Sequence, residues 1–63
     1  MNVEICIYAG GQVIFHQTVF MKHPKMMETF TAFVLRKTRQ KIGAYTAKVG
    51  MFNFNGTVRV PAY

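Results

Sequence analysis

The side chains from which an enzyme would have to be built here are Glu4, Cys6, His16, His23 and Glu28. Serine and aspartate do not occur anywhere in the chain, which removes a serine nucleophile and any Asp-based acid, base or metal cluster. A cysteine nucleophile needs a base within hydrogen-bond reach, so the decisive pair is Cys6 with His16. If Gly10-Gly11 is a two-residue hairpin turn, a regular ladder sets Tyr8 opposite Val13, Ile7 opposite Ile14, Cys6 opposite Phe15 and Ile5 opposite His16. Cys6 and His16 then fall on opposite faces, which argues against a catalytic dyad and against a shared metal. Their spacing matches no zinc pattern either. Gly10-Gly11 lacks the further glycines and the Lys-Ser or Lys-Thr of a phosphate-cradling loop. The expectation is a non-enzymatic protein with no cofactor and no metal.

The elements that position these residues are short. Residues 3–8 and 13–20 are rich in β-branched and aromatic side chains, and the glycine pair between them marks a tight hairpin. In the regular register one face holds Val3, Ile5, Ile7, Ile14, His16, Thr18 and Phe20 and is the expected core face; Glu4, Cys6, Tyr8, Val13, Phe15, Gln17 and Val19 take the other. Residues 23–43 form the single helix-length stretch, with Pro24 suited to its first position and Gly43 to its C-terminal stop. Tyr45, Ala47, Val49 and Met51 then alternate with polar or small residues at a strand period. Asn55-Gly56 is the strongest short hairpin signal of the chain, and it predicts a last strand over 57–60, ended by Pro61. Tyr45, Ala47, Val49, Met51, Val58 and Val60 are expected to meet the helix.

Strand, strand, helix, strand, strand defines an α+β domain, β-β-α-β-β, with one helix packed on a four-stranded, mainly antiparallel sheet. A crossover from the second strand to the third that skips one position gives the order 2-1-3-4. At 63 residues the chain is a single small domain. A domain of this size buries only about 60% of its unfolded surface, and with one cysteine it has no internal disulfide, so a homodimer or a bound partner is an expected source of stability. Cys6 in an apolar strand reads as an inert core thiol or as the mark of a reducing compartment.

The charge is lopsided. Eight Lys and Arg against two Glu give +6 at pH 7, a field that draws nucleic acid or an acidic protein surface. Arg36, Lys37, Arg39 and Lys41 gather in the back half of the expected helix, where they also complement its dipole. The outer sheet face is expected to carry Tyr8, Phe15, Phe52 and Phe54 with Lys48 and Arg59 among them, and aromatics interleaved with cations suit bases and phosphates. A small basic module binding DNA or RNA through the helix and this face is the first reading. The alternative is a small inhibitor or adaptor, of the kind viruses and plasmids encode, that docks on a larger host protein such as a nucleic-acid-processing enzyme. No apolar run approaches the roughly 20 residues that span a bilayer, and residues 1–11 lack the basic leader of a secretory signal. A soluble, cytoplasmic protein without membrane contact is therefore expected.

Overall fold

The computed structural model describes residues 1–61. Its elements are β1 (Asn2–Ala9), β2 (Gln12–Phe20), α1 (Met26–Lys37), β3 (Ile42–Val49) and β4 (Phe52–Arg59). The strands form one antiparallel sheet in the order β2-β1-β3-β4, with α1 against one face, so the α+β class and the strand order are those expected. The core lies between them. Val3, Ile5, Ile7 and Leu35 have no exposed surface, and Met27, Tyr45, Ala47 and Val60 close around them. Burying each large aliphatic side chain is worth about 1.5–3 kcal/mol.

Three local features depart from the sequence expectations, and each changes where side chains point. The first hairpin does turn at Gly10-Gly11, where φ is +59° and +76°. Such angles at both central positions are those of the turn that matches strand twist. Tyr8 pairs with Val13 as expected, but Ile7 pairs with Phe15, Cys6 with His16 and Ile5 with Gln17. Ile14 is an extra residue, a β-bulge, and it reverses the facing of everything after it. Phe15 and Val19 thus turn toward the core, while His16 and Thr18 are exposed. The regular register would have buried His16 and Thr18 instead, and the bulge removes that desolvation cost. Phe15 meets Phe30 of the helix edge-on, with centroids 5.1 Å apart, a favoured aromatic geometry.

The second hairpin turns at Gly50-Met51, not at Asn55-Gly56. Val49 pairs with Phe52, and eight-residue strands run from there to the Ile42–Arg59 pair. Gly50 has φ +59°, which suits the first central position of a two-residue turn, and Met51 is 94% exposed rather than in the core. The earlier turn pairs all of β3, whereas a turn at Asn55-Gly56 would leave only 57–60 as its partner. It also reverses the facing of the residues between the two turn positions, while Val58 and Val60 meet the helix as expected. Phe52 and Phe54 lie on the helix side, with Phe54 packed against the core and Phe52 largely exposed at the sheet end. Gly56 pairs with Tyr45, and a Cβ there would lie 3.0 Å from the Tyr45 ring. That glycine is used for ring packing instead of a turn.

The helix is shorter than 23–43. Pro24 sits in the turn before it, where the Met26 N–H donates to His23 O and the Met27 N–H to Pro24 O. At the other end Thr38 is the cap and Arg39 takes the left-handed conformation, φ +59°. The Arg39 N–H donates to Arg36 O at 3.2 Å and the Gln40 N–H to Leu35 O at 2.8 Å. These two bonds make a Schellman close, so the chain stops its helix four residues before Gly43. A non-glycine residue in this conformation costs about 1–2 kcal/mol. Arg39→Gly is therefore expected to raise stability by about 1 kcal/mol, read as a higher urea midpoint at unchanged slope; a lower midpoint would contradict the assignment.

Gly43 lies within β3, where a Cβ would be 2.6 Å from Leu35 Cδ2 and 2.7 Å from the Tyr8 carbonyl oxygen. Helix and sheet approach this closely because that side chain is absent. Thr31, the one buried polar side chain among the described residues, donates its hydroxyl to Met27 O at 2.7 Å.

Tyr45, in the core, has its phenol pKa pushed above the usual value by burial first and by the Glu28 carboxylate second. Because the folded chain holds this proton more tightly than the unfolded one, the associated stability is fully present below pH 10.0 and is lost as pH rises through the folded-state pKa. The urea midpoint is expected to fall above pH 10.0, and to fall less steeply in Tyr45→Phe. Equal slopes in the two proteins would assign alkaline unfolding to other groups.

Candidate functional site

Four cations meet at one end of the molecule. Arg36 comes from the last turn of α1, Arg39 from its close, Lys41 from the segment leading into β3 and Arg59 from the end of β4. The chain brings them together by pairing Ile42 with Arg59 and by bonding the Val60 N–H to Lys41 O at 2.8 Å. Arg36, Arg39 and Lys41 line one shallow depression over Val60 and Pro61, and Lys41 and Arg59 line the next. All four are exposed. Neither glutamate lies among them: Glu28 is in the first turn of α1 and Glu4 pairs across the sheet with Lys48. Clustered charges of one sign sum to a field that attracts polyanions.

The expectation of a basic helix half is thereby corrected. Only Arg36 and Lys37 are helical, and Lys37 turns to another flank, with Nζ 5.2 Å from the Phe33 ring centroid. Arg59, on the far strand, joins the group that Lys37 leaves. Proximity across the last strand pair, invisible in linear spacing, makes this site.

The sheet face away from the helix is also different from the one expected. Phe15, Phe52 and Phe54 do not belong to it, for the bulge and the earlier turn put all three on the helix side. Tyr8, Lys48 and Arg59 do belong to it. Their company is mainly polar: Thr18, Thr46, Asn53, Asn55 and Thr57 are exposed on the same side, with the apolar Val13 opposite Tyr8 and Ile42 opposite Arg59. Tyr8 stands at the basic end, in the cross-strand row Tyr8–Ala44–Thr57 that adjoins the Ile42–Arg59 pair. Lys48 lies toward the opposite end, about 20 Å along β3 from Ile42 at the rise of a strand.

The bulge also overturns the separation of Cys6 from His16. They are direct cross-strand partners on this face, and His16 Nε2 lies 3.4 Å from Glu4 Oε2, with both side chains 57% exposed. Cys6 is half-buried rather than in the core. Glu4, Cys6, Tyr8, His16, Lys48 and Asn53 surround a depression of about 250 Å³. A contact this exposed contributes at most about 1 kcal/mol. Among the described residues no three His, Cys, Asp or Glu side chains come together as metal ligands.

A groove runs along the other flank. The helix lies chiefly over β3, β4 and β1, so the inner face of the edge strand β2 is only partly covered. Ile14, Phe15 and Val19 from β2 and Phe30, Phe33 and Val34 from α1 line a space of about 460 Å³, which continues past Phe20 and Met26. Sequence reasoning missed this groove because it placed Phe15 and Val19 on the opposite face.

No helix of the described residues is long and apolar enough to cross a membrane. The architecture is that of a small α+β domain with one basic end, one polar open sheet face and one apolar flank. No protein-family model, curated protein or solved structure gives a significant match to the chain.

Proposed function

We propose that this protein is a small non-enzymatic binding module for nucleic acid, held mainly through phosphates at its basic end. The observation that carries the reading is the convergence of Arg36, Arg39, Lys41 and Arg59, from the end of α1, the approach to β3 and the end of β4, on two adjoining depressions over Val60 and Pro61, away from both glutamates. Cations placed so supply sequence-independent affinity by releasing counterions. Tyr8, at the same end and 38% exposed, offers one ring for a base to stack on, worth about 1–3 kcal/mol. A single ring in place of four shifts the weight from base stacking to phosphate contact. The polar side chains of the open face, Thr46, Asn55 and Thr57 among them, are hydrogen-bonding groups suited to sugar and phosphate oxygens.

Titration of random-sequence DNA and RNA at several salt concentrations tests this. Affinity falling steeply with salt for either polymer is the expected result; binding that ignores salt, or no binding at low salt, would refute it. The second reading, an adaptor on a larger protein, draws on the apolar flank and predicts a complex that survives high salt, since apolar burial is not screened.

A further inference from the structure

We propose that the flank formed by β2 and α1 is the interface of a symmetric homodimer in which β2 pairs antiparallel with β2 of a second copy. This inference is independent of nucleic-acid binding. β2 is a nine-residue strand at the sheet edge, QVIFHQTVF, with no lysine, arginine, aspartate, glutamate or proline. An edge strand presents a row of unpaired N–H and C=O groups, and folded proteins blunt such edges with charge or proline. Here the bulge at Ile14 is the one such device, and it leaves the stretch from Phe15 to Phe20 regular. Beside that edge lies the apolar groove, and three of the eight exposed large hydrophobic side chains of the described residues, Phe20, Met26 and Phe33, line it.

A second copy suits this surface better than an acidic partner does. Of the four clustered cations, Arg59 is on β4 at the opposite edge of the sheet, Arg39 and Lys41 are on the approach to β3, and Arg36 is at the C-terminal end of α1 around the depression over Val60 and Pro61 rather than in the groove, so two chains of charge +6 meet away from that cluster. Lys22 and Lys25 precede α1 at one end of the flank, and Lys37, in the last turn of α1, lines the groove at the other with its ammonium over Phe33; all three are exposed, as rim charges are. A stable interface needs about 800 Å² from each partner, roughly a sixth of the 4721 Å² surface of this chain. β2 alone is about 30 Å long at the strand rise, against a longest molecular dimension of 35 Å.

Symmetry closes the assembly. Pairing β2 with β4 of the next copy would repeat without end, whereas pairing β2 with itself stops at two. Registers in which Gln17 or Thr18 faces its own counterpart keep Phe15 and Val19 of both copies on one side, since opposed residues share a face. Both helices then lie on that side of an eight-stranded sheet, and Phe30 and Phe33 of each copy close the groove from above.

Sedimentation equilibrium without nucleic acid decides the matter. The wild-type chain is expected to weigh twice 7.2 kDa, with a melting temperature that rises with concentration. Gln17→Lys with Phe33→Lys, two exposed positions, should give a monomer with an unchanged far-ultraviolet spectrum, while Asn55→Lys on β4 should remain dimeric. A wild-type chain that stays monomeric up to its solubility limit would overturn the proposal and leave the flank to a different polypeptide. So would a dimer that survives the two lysines or dissolves with Asn55→Lys.

Discussion

Replacing Gly43 by alanine is expected to bring the domain close to unfolding. The added methyl would overlap Leu35 Cδ2 at 2.6 Å and the Tyr8 carbonyl oxygen at 2.7 Å. The first contact can be relieved by a rotamer change, but the second is backbone of the central strand β1 and can yield only by parting β1 from β3. Overpacking of this kind costs about 1–3 kcal/mol and occasionally more. Net stability for a chain of this size is about 3–9 kcal/mol at the usual value per residue, so the loss is a large share of the whole. Leu35 is fully buried, and Leu35→Ala alone should cost about 2–5 kcal/mol. The double variant Gly43→Ala, Leu35→Ala is expected to lose less than the two single losses combined, because removing the leucine δ carbons frees their share of the overlap and leaves the carbonyl contact in place. Urea midpoints for the four proteins of this cycle measure the coupling. A Gly43→Ala protein with the wild-type midpoint would show that helix and sheet do not meet as closely as described.

The second large effect is on binding. Arg36, Arg39, Lys41 and Arg59, each changed to Gln, should abolish most of the affinity for nucleic acid while the fold survives, since all four are exposed. If each neutralises one phosphate of duplex DNA, log K falls with log salt at a slope of about −0.9 per contact. Four contacts then cost about a hundredfold in affinity between 50 and 200 mM salt, and the variant should lose most of that slope. Gln at Lys48, at the other end of the sheet and across from Glu4, is the control and should change the slope by less than one contact. A dipole role alone predicts a different outcome: a few tenths of a kcal/mol of stability for Arg36 in the last helical turn, and intact binding. Quadruple Gln protein that binds with unchanged affinity and salt dependence would remove the basic end from the function and move attention to the polar face around Tyr8.

Much of the architecture was legible in the residues. The β-branched and aromatic run over 3–8 identified β1, the glycine pair identified its turn, and a helix-length stretch between two strand pairs, with a crossover that skips one position, was enough for the α+β class and the 2-1-3-4 order. The helix boundaries were less legible, because the left-handed close falls on Arg39, a residue type that gives no signal for it, while Gly43 had another use. The cation run from 36 to 41 was plain as composition, but its partner Arg59 was not, since only the β3–β4 pairing brings it there.

Residue order was sufficient to say which side chains alternate; packing of the whole chain was required to say which way they face. A strand has a period of two, so a single inserted residue sends the rest of its strand to the other side of the sheet, and a shifted turn does the same to the residues between its two possible positions. The bulge at Ile14 did this to Phe15 and His16, and the turn at Gly50-Met51 did it to Phe52 and Phe54. Neither choice is local. Asn55-Gly56 is the better turn taken alone, and an unbulged β2 the simpler ladder, but the helix above the sheet supplies Phe30 for Phe15 to meet, and the ring of Tyr45 needs the space that Gly56 leaves. Apolar burial against a third element outweighs a turn preference, and so the aromatic face expected from spacing became, in the folded chain, an apolar flank and a polar open face.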